Sequence, residues 1–161
     1  MINVRRAVVA DAAEVVRLRG AMLASMEGAE PAPGSWQDAA RETLRVRLVE
    51  PQDALGVFVV DKPDRPGELA AVAVGTIERR LGGPANPSGL TGYVFNVVTD
   101  PGYRRRGYSR ACLEALLDWY RKRGVGKIDL RASAEGEPLY RALGFVPTNG
   151  PTLRLSLPPA D

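Results

Sequence analysis

Val15, Leu18, Met22 and Met26 recur at helical spacing behind a polar start at Asp11 and Glu14. The Asp11–Glu14 pair reads as a capping box, so a first helix is predicted from position 11. Residues 2–7 ahead of it read as a short strand. Pro31 and Pro33, within a glycine-bounded loop at residues 28–34, end the helix. A second helix is expected from a Ser35 cap through Leu44 and Leu48 to Pro51. Residues 55–61 and 69–74 are short apolar runs joined by a turn-rich segment, and they predict an antiparallel hairpin. After a Gly/Pro/Asn-rich loop at 81–90, residues 93–99 form a further strand, closed by Asp100-Pro101-Gly102. From Gly107 the periodicity is helical again. Ala111, Ala115 and Trp119 lie on one line, with Cys112, Leu116 and Tyr120 beside it, up to Gly124. A strand at 127–131, a short helix at 135–143 and a last alternating strand at 153–157 complete the order β-α-α-β-β-β-α-β-α-β. That order describes an α/β fold with one mixed sheet.

Composition narrows this picture. With 161 residues, 45% hydrophobic and 25% charged, the chain suits one domain over 1–161. The lone Cys112 excludes an intramolecular disulfide framework, and its helical line marks it as a packing residue. No apolar run is long enough to span a bilayer and none resembles a secretory signal, so a cytoplasmic protein without a membrane partner is expected. The net charge of +3 is small, and acidic residues are interspersed among the arginines, which speaks against nucleic acid as a partner. Histidine is absent altogether. That removes His-ligated metals, Ser-His-Asp triads and an imidazole base, and no metal is expected.

Chemistry gathers where the strand at 93–99 passes through Arg104-Arg105-Arg106-Gly107-Tyr108-Ser109 into a helix. The first N–H groups of a helix lack intrahelical acceptors and its dipole favours anions, so the junction suits a phosphate. Gly107 permits close backbone approach, and the arginines can add charge-assisted hydrogen bonds. Taken alone, the same pattern also serves as an ordinary turn with a solvated arginine rim.

The segment from Arg104 to Ser109 nevertheless resembles the Q/R-x-x-G-x-G/A signature of the GNAT acetyltransferase superfamily, with Ser109 in place of glycine or alanine. Pro138-Leu139-Tyr140-Arg141-Ala142-Leu143-Gly144-Phe145 is similar to the family's second signature, and the two occur in the family's order. The resemblance implies a GNAT-like acyl-CoA N-acyltransferase fold. It also implies transfer of an acetyl group from acetyl-CoA to a primary amine by direct attack in a ternary complex. Coenzyme A would be held by Arg104, Arg105, Arg106, Gly107, Tyr108, Ser109 and Arg110. Backbone groups of Val98 and Thr99 would pair with its pantetheine arm, and Ser133 would stand where relatives often carry asparagine.

Tyr140 takes the position of the acid that protonates the departing thiolate. Glu78 is a candidate general base, or else a solvated strand-end carboxylate. Asn96 is a candidate to orient acceptor or acyl oxygen, or else a structural amide. Trp36 and Met22 line the acceptor pocket or belong to the core. The acceptor is a small-molecule or peptide amine, and a homodimer is allowed by analogy with relatives. Two alternatives stay open: a non-catalytic acyl-CoA-binding regulatory module, and a transferase using another acyl donor.

Overall fold

Among the described residues, five strands form one sheet in the order β1-β2-β3-β4-β5. They are β1 (Arg5–Arg6), β2 (Leu55–Asp61), β3 (Leu69–Arg79), β4 (Leu90–Thr99) and β5 (Lys127–Leu130). The first four pair antiparallel in sequence, whereas β5 joins β4 in parallel through α3 (Tyr108–Lys122). The other helices are α1 (Ala12–Glu27), α2 (Ser35–Val49) and α4 (Glu137–Ala142). This computed structural model describes residues 1–29, 31–49 and 54–160. It comprises two compact units: Met1–Arg131, which holds the sheet and α1 to α3, and Ala132–Asp161, which holds α4.

Alternation along the strands sorts the first unit into two layers. Val57, Val59, Val72, Val74 and Val98 share one face and pack with Ala7, Val15 and Leu18, while Met22, Leu44 and Leu48 close over them. α3 covers the opposite face with Cys112, Leu113, Leu116, Leu117, Trp119 and Tyr120 buried. Its approach depends on small residues in the sheet. A Cβ on Gly75 would stand 2.1 Å from the Tyr120 hydroxyl oxygen, and one on Gly92 would stand 2.7 Å from the same ring. Tyr120 uses that space to reach backbone carbonyls on two strands, Thr76 O at 3.1 Å and Tyr93 O at 3.2 Å.

Several expectations change. Asp11 and Glu14 do not form a capping box for α1. Asp11 instead accepts the Val8 N–H at 2.8 Å and two Arg5 hydrogen bonds, and Glu14 accepts the Leu69 N–H at 2.8 Å. Asp11 thus serves the turn ahead of α1, while Glu14, inside α1, pairs with Arg17 on its own helix and reaches β3 at Leu69. β1 is only two residues long, and β3 runs to Arg79 because Glu78 and Arg79 continue the ladder opposite Thr91 and Leu90. The proposed α2 end at Pro51 lies outside the described residues.

The last strand at 153–157 is not formed. Leu153, Leu155 and Leu157 are exposed, and residues 151–160 carry no regular structure. Alternation suits a half-buried strand, but a strand exists only through a paired neighbour, and prolines bound this run on both sides. No described helix is long and apolar enough to cross a membrane.

Candidate active site

The register of β4 against β3 shifts between Val74 and Gly75, which pair with Asn96 and Val94 and leave Phe95 as the extra residue. Such a bulge bends the strand and breaks its alternation. On the other side, β5 pairs with β4 only from Thr91 to Val94. From the bulge to Thr99 the β4 edge on that side has no strand partner among the described residues. Its backbone N–H and C=O groups can therefore accept an added extended chain.

Beyond β4, Asp100 starts a single 3-10 turn over Pro101–Tyr103, accepting the Gly102 N–H at 3.0 Å. Asp100 also accepts Arg17 at 2.8 Å and lies 3.2 Å from the Lys62 ammonium. Although burial pushes its carboxyl up, the Gly102 N–H, Arg17 and Lys62 together hold it below the usual carboxylate range. The turn is thus anchored to α1 and to the β2–β3 connection. The Tyr103 hydroxyl adds a further anchor to Asp64.

The chain then bends twice, with φ of 64° at Arg105 and 81° at Gly107, before α3 begins at Tyr108. Left-handed backbone is strained for arginine and ordinary for glycine. Gly107 is the N-cap of α3, and no side chain caps this end. The first intrahelical bond there is Ala111 N–H to Gly107 O at 3.0 Å. The Tyr108, Ser109 and Arg110 N–H groups therefore have no intrahelical acceptor. The Ser109 hydroxyl bonds that of Thr99, which ties the end of β4 to the first turn of α3. Those uncapped donors, with a positive dipole end, suit an anion.

The arginines are not equivalent. The Arg106 guanidinium lies 4.9 Å from the Tyr103 ring centroid, and Arg110 pairs with Glu114 at 2.9 Å along the helix. Arg104 and Arg105 are exposed. Val98 is buried in the core and Thr99 is half-buried.

Asn96 is 2% exposed and on the face covered by α1, where its carbonyl oxygen accepts Arg19 at 3.1 Å. Glu78 is exposed and paired with Arg80 at 3.2 Å. Cys112 is wholly buried, and burial pushes its thiol up to about 12, so it has no thiolate character at neutral pH. In α2, Trp36 donates to Ala32 O at 3.1 Å within its own loop. Arg19, the partner of Asn96, was absent from the candidates read from sequence. Periodicity places it on α1 beside Leu18 but does not say that it bends toward β4.

In the second unit, the Ser133 hydroxyl accepts the Gly136 N–H at 3.1 Å and initiates the turn into α4. Tyr140 packs edge-on against Phe145 with ring centroids 5.9 Å apart. Burial raises the Tyr140 hydroxyl above its ordinary value, so it stays protonated at neutral pH.

An open β4 edge running into an uncapped, glycine-started helix lies at the strand-to-helix junction that carries the Arg104–Ser109 signature. The profile of the acetyltransferase (GNAT) family matches residues 23–145. The chain belongs to that family. Among relatives of this GNAT chain, the ribosomal protein bS18-alanine N-acetyltransferase of Escherichia coli is 47% identical over 55 residues. That match covers 32% of the chain and 37% of the relative. A mycothiol acetyltransferase of Beutenbergia cavernae is 36% identical over 64 residues, covering 38% of the chain and 22% of the relative.

Solved structures extend the likeness to the whole fold. A protein of Clostridium acetobutylicum, described as a predicted acetyltransferase with acetyl-CoA, is 26% identical with a TM-score of 0.79. That superposition covers 97% of this chain and 96% of the other. A GCN5-related N-acetyltransferase of Ralstonia eutropha shares the fold at 24% identity and a TM-score of 0.76, covering 96% and 99% of the two chains.

Proposed function

We propose that this GNAT-family chain transfers an acetyl group from acetyl-CoA to a primary amine by direct attack in a ternary complex. The observation that carries the reading is the parting of β4 from β5 at Val94, followed by the uncapped N-terminus of α3 at Gly107. In this reading, Arg104, Arg105, Arg106, Gly107, Tyr108, Ser109 and Arg110 bind the pyrophosphate. They do so through backbone N–H groups first and arginine charge second, since Arg106 and Arg110 already have protein partners. Val98 and Thr99 offer backbone groups to the pantetheine arm, and Ser133 supports it.

The amine nitrogen attacks the thioester carbon, the C–S bond breaks, and the Tyr140 hydroxyl donates a hydrogen bond to the leaving thiolate. A raised Tyr140 pKa keeps the proton available at neutral pH, while full transfer to a thiolate is uphill by at least about 2 kcal/mol. Its contribution is then a hydrogen bond that strengthens as charge develops on sulfur. The acceptor's own proton leaves to water, with Glu78 as the candidate carboxylate to receive it.

A thiol-release screen with acetyl-CoA and chemically diverse amines tests the proposal. Coupled release of coenzyme A and formation of an acetylated amine is the expected result. Binding of acetyl-CoA without thiol release on any amine would instead leave a binding module.

A further inference from the structure

Arg5 is held between Asp11 and Asp61, and Arg17 between Glu14 and Asp100, at 2.7 to 2.9 Å. Arg19, one turn of α1 from Val15 and half-buried, has no carboxylate partner among the described residues. It donates to a neutral oxygen, Asn96 Oδ1, at 3.1 Å. A guanidinium only donates, so this contact fixes the amide orientation and leaves Nδ2 as the other atom. That Nδ2 is buried and has no hydrogen-bond partner, in a residue 2% exposed. A permanent cation and an unsatisfied buried donor thus sit together with no anion among the described residues to balance them, an arrangement that costs stability unless a ligand completes it.

The position of the pair narrows the ligand. Asn96 is the first residue after the bulge, where β4 has just parted from β5. It faces α1, whereas Thr99, three residues on, faces α3 and bonds Ser109 at the start of that helix. The anion-binding helix end and the Arg19–Asn96 pair therefore lie on opposite faces of one strand. Tyr93 and Phe95, on the same strand, are each 41% exposed.

We infer that Arg19 and Asn96 select an acceptor that carries a carboxylate near its amine. The inference rests on the acetyltransferase reading and deepens it. A carboxylate accepts from both groups and neutralises the guanidinium, whereas an amide or a plain alkylamine leaves that charge uncompensated. The carboxylate comes either from the α-carboxyl of a free amino acid or from an acidic side chain beside a peptide amino terminus.

The test uses the whole chain, acetyl-CoA and matched acceptors: alanine, alaninamide and ethylamine; phenylalanine, phenylalaninamide and phenethylamine; and peptide amides with glutamate or glutamine after the amino terminus. The carboxylate member of a set should exceed its neutral counterparts by roughly 10-fold or more in kcat/KM, the scale of one charge-assisted pair. The amino acid sets and the peptide pair report which source is used. In Arg19→Met the preference should fall below about 3-fold. Asn96→Asp, which supplies a carboxylate to Arg19 from within, should lose it too.

Binding gives a readout independent of turnover. With coenzyme A present, an N-acetyl amino acid should stabilise the wild-type chain more than its amide does, and equally little in Arg19→Met. An acetyl-CoA thermal shift retained by both variants shows that they fold. Failure of acetyl-CoA to stabilise the wild-type chain would sink the acetyltransferase reading and this inference with it. Normal acetyl-CoA binding with equal response to carboxylate and amide, or a preference that survives Arg19→Met, would overturn this inference alone.

Discussion

A pair of substitutions at Gly107 separates the anion site from the conformation of its loop. A Cβ at this position meets only Ile2 Cδ1 at 3.6 Å, an ordinary contact, so an alanine fits the space. At φ of 81° both Gly107→Ala and Gly107→Glu bear the left-handed penalty of about 1–2 kcal/mol. Only the glutamate adds a negative charge. At roughly 5 Å from a phosphate the added repulsion is about 3 kcal/mol at an effective dielectric of ~20, and nearer 1 kcal/mol when solvent screens it.

Acetyl-CoA at about 100 times its Kd stabilises a folded chain by about 2.7 kcal/mol, or about 5–10 °C in Tm for a chain of this size. Weakened about 100-fold, the same concentration gives only about 0.4 kcal/mol, or about 1–2 °C. Differential scanning fluorimetry with and without acetyl-CoA should show both variants starting lower, Gly107→Ala keeping most of the ligand shift and Gly107→Glu losing it. A full shift in Gly107→Glu would refute the anion site. Equal loss in both would show that loop shape, and not charge, is what matters.

Tyr140→Phe should lower kcat by about 100-fold or more while leaving the acetyl-CoA thermal shift intact, in line with a positioned acid. Because burial raises Tyr140 above its ordinary value near 10, the wild-type pH–rate profile should show no alkaline loss from this group below about pH 10. Asp61 is held low by Arg5, and Asp11, Glu14 and Asp100 are low despite burial because of their arginine and backbone partners. Depressed folded-state values stabilise above the unfolded value near 4 and cease to as pH falls through the lower folded ones, so urea midpoints should hold from pH 7 to about 5 and drop below about 4. Arg5→Met should cost about 1–3 kcal/mol at pH 7, discounted for the 34% exposure of its side chain, and less at pH 3. Gly75→Ala should cost about 1–3 kcal/mol by overpacking against Tyr120, with partial recovery in the Gly75→Ala/Tyr120→Phe double variant. A neutral Gly75→Ala would contradict the close packing of α3.

Helices and central strands were legible in the sequence because their periodicity reports burial directly: the Val15–Leu18 stripe and the Cys112–Leu116–Tyr120 line both face the core. The glycine-started α3 was legible for another reason, since helical periodicity resumes at Gly107 directly after an arginine-glycine run that resembles a family signature. What pattern could not supply was partner choice. Asp11 and Glu14 look like a capping pair for one helix, but Asp11 bonds Val8 and Arg5 just ahead of it and Glu14 bonds Leu69, a contact set by tertiary packing. Alternation at 153–157 satisfies the rule for a strand without a partner to make it one. Arg19 reaches Asn96 across 77 positions, and the bulge at Phe95 that sets the facing of Asn96 leaves no mark in the hydrophobic pattern. The glycines beneath α3, Gly56 opposite Trp119 and Gly75 and Gly92 opposite Tyr120, lie on consecutive strands, a signal that becomes meaningful only once the register is known.

The central claim concerns where acetyl-CoA lies, and a crystal structure of the complex tests it most directly. The account predicts the pyrophosphate within hydrogen-bonding distance of the Gly107, Tyr108 and Ser109 N–H groups, with the pantetheine arm along β4 from the Phe95 bulge to Thr99. A pyrophosphate seated away from the N-terminus of α3, or an arm that leaves the β4 edge unpaired, would contradict it.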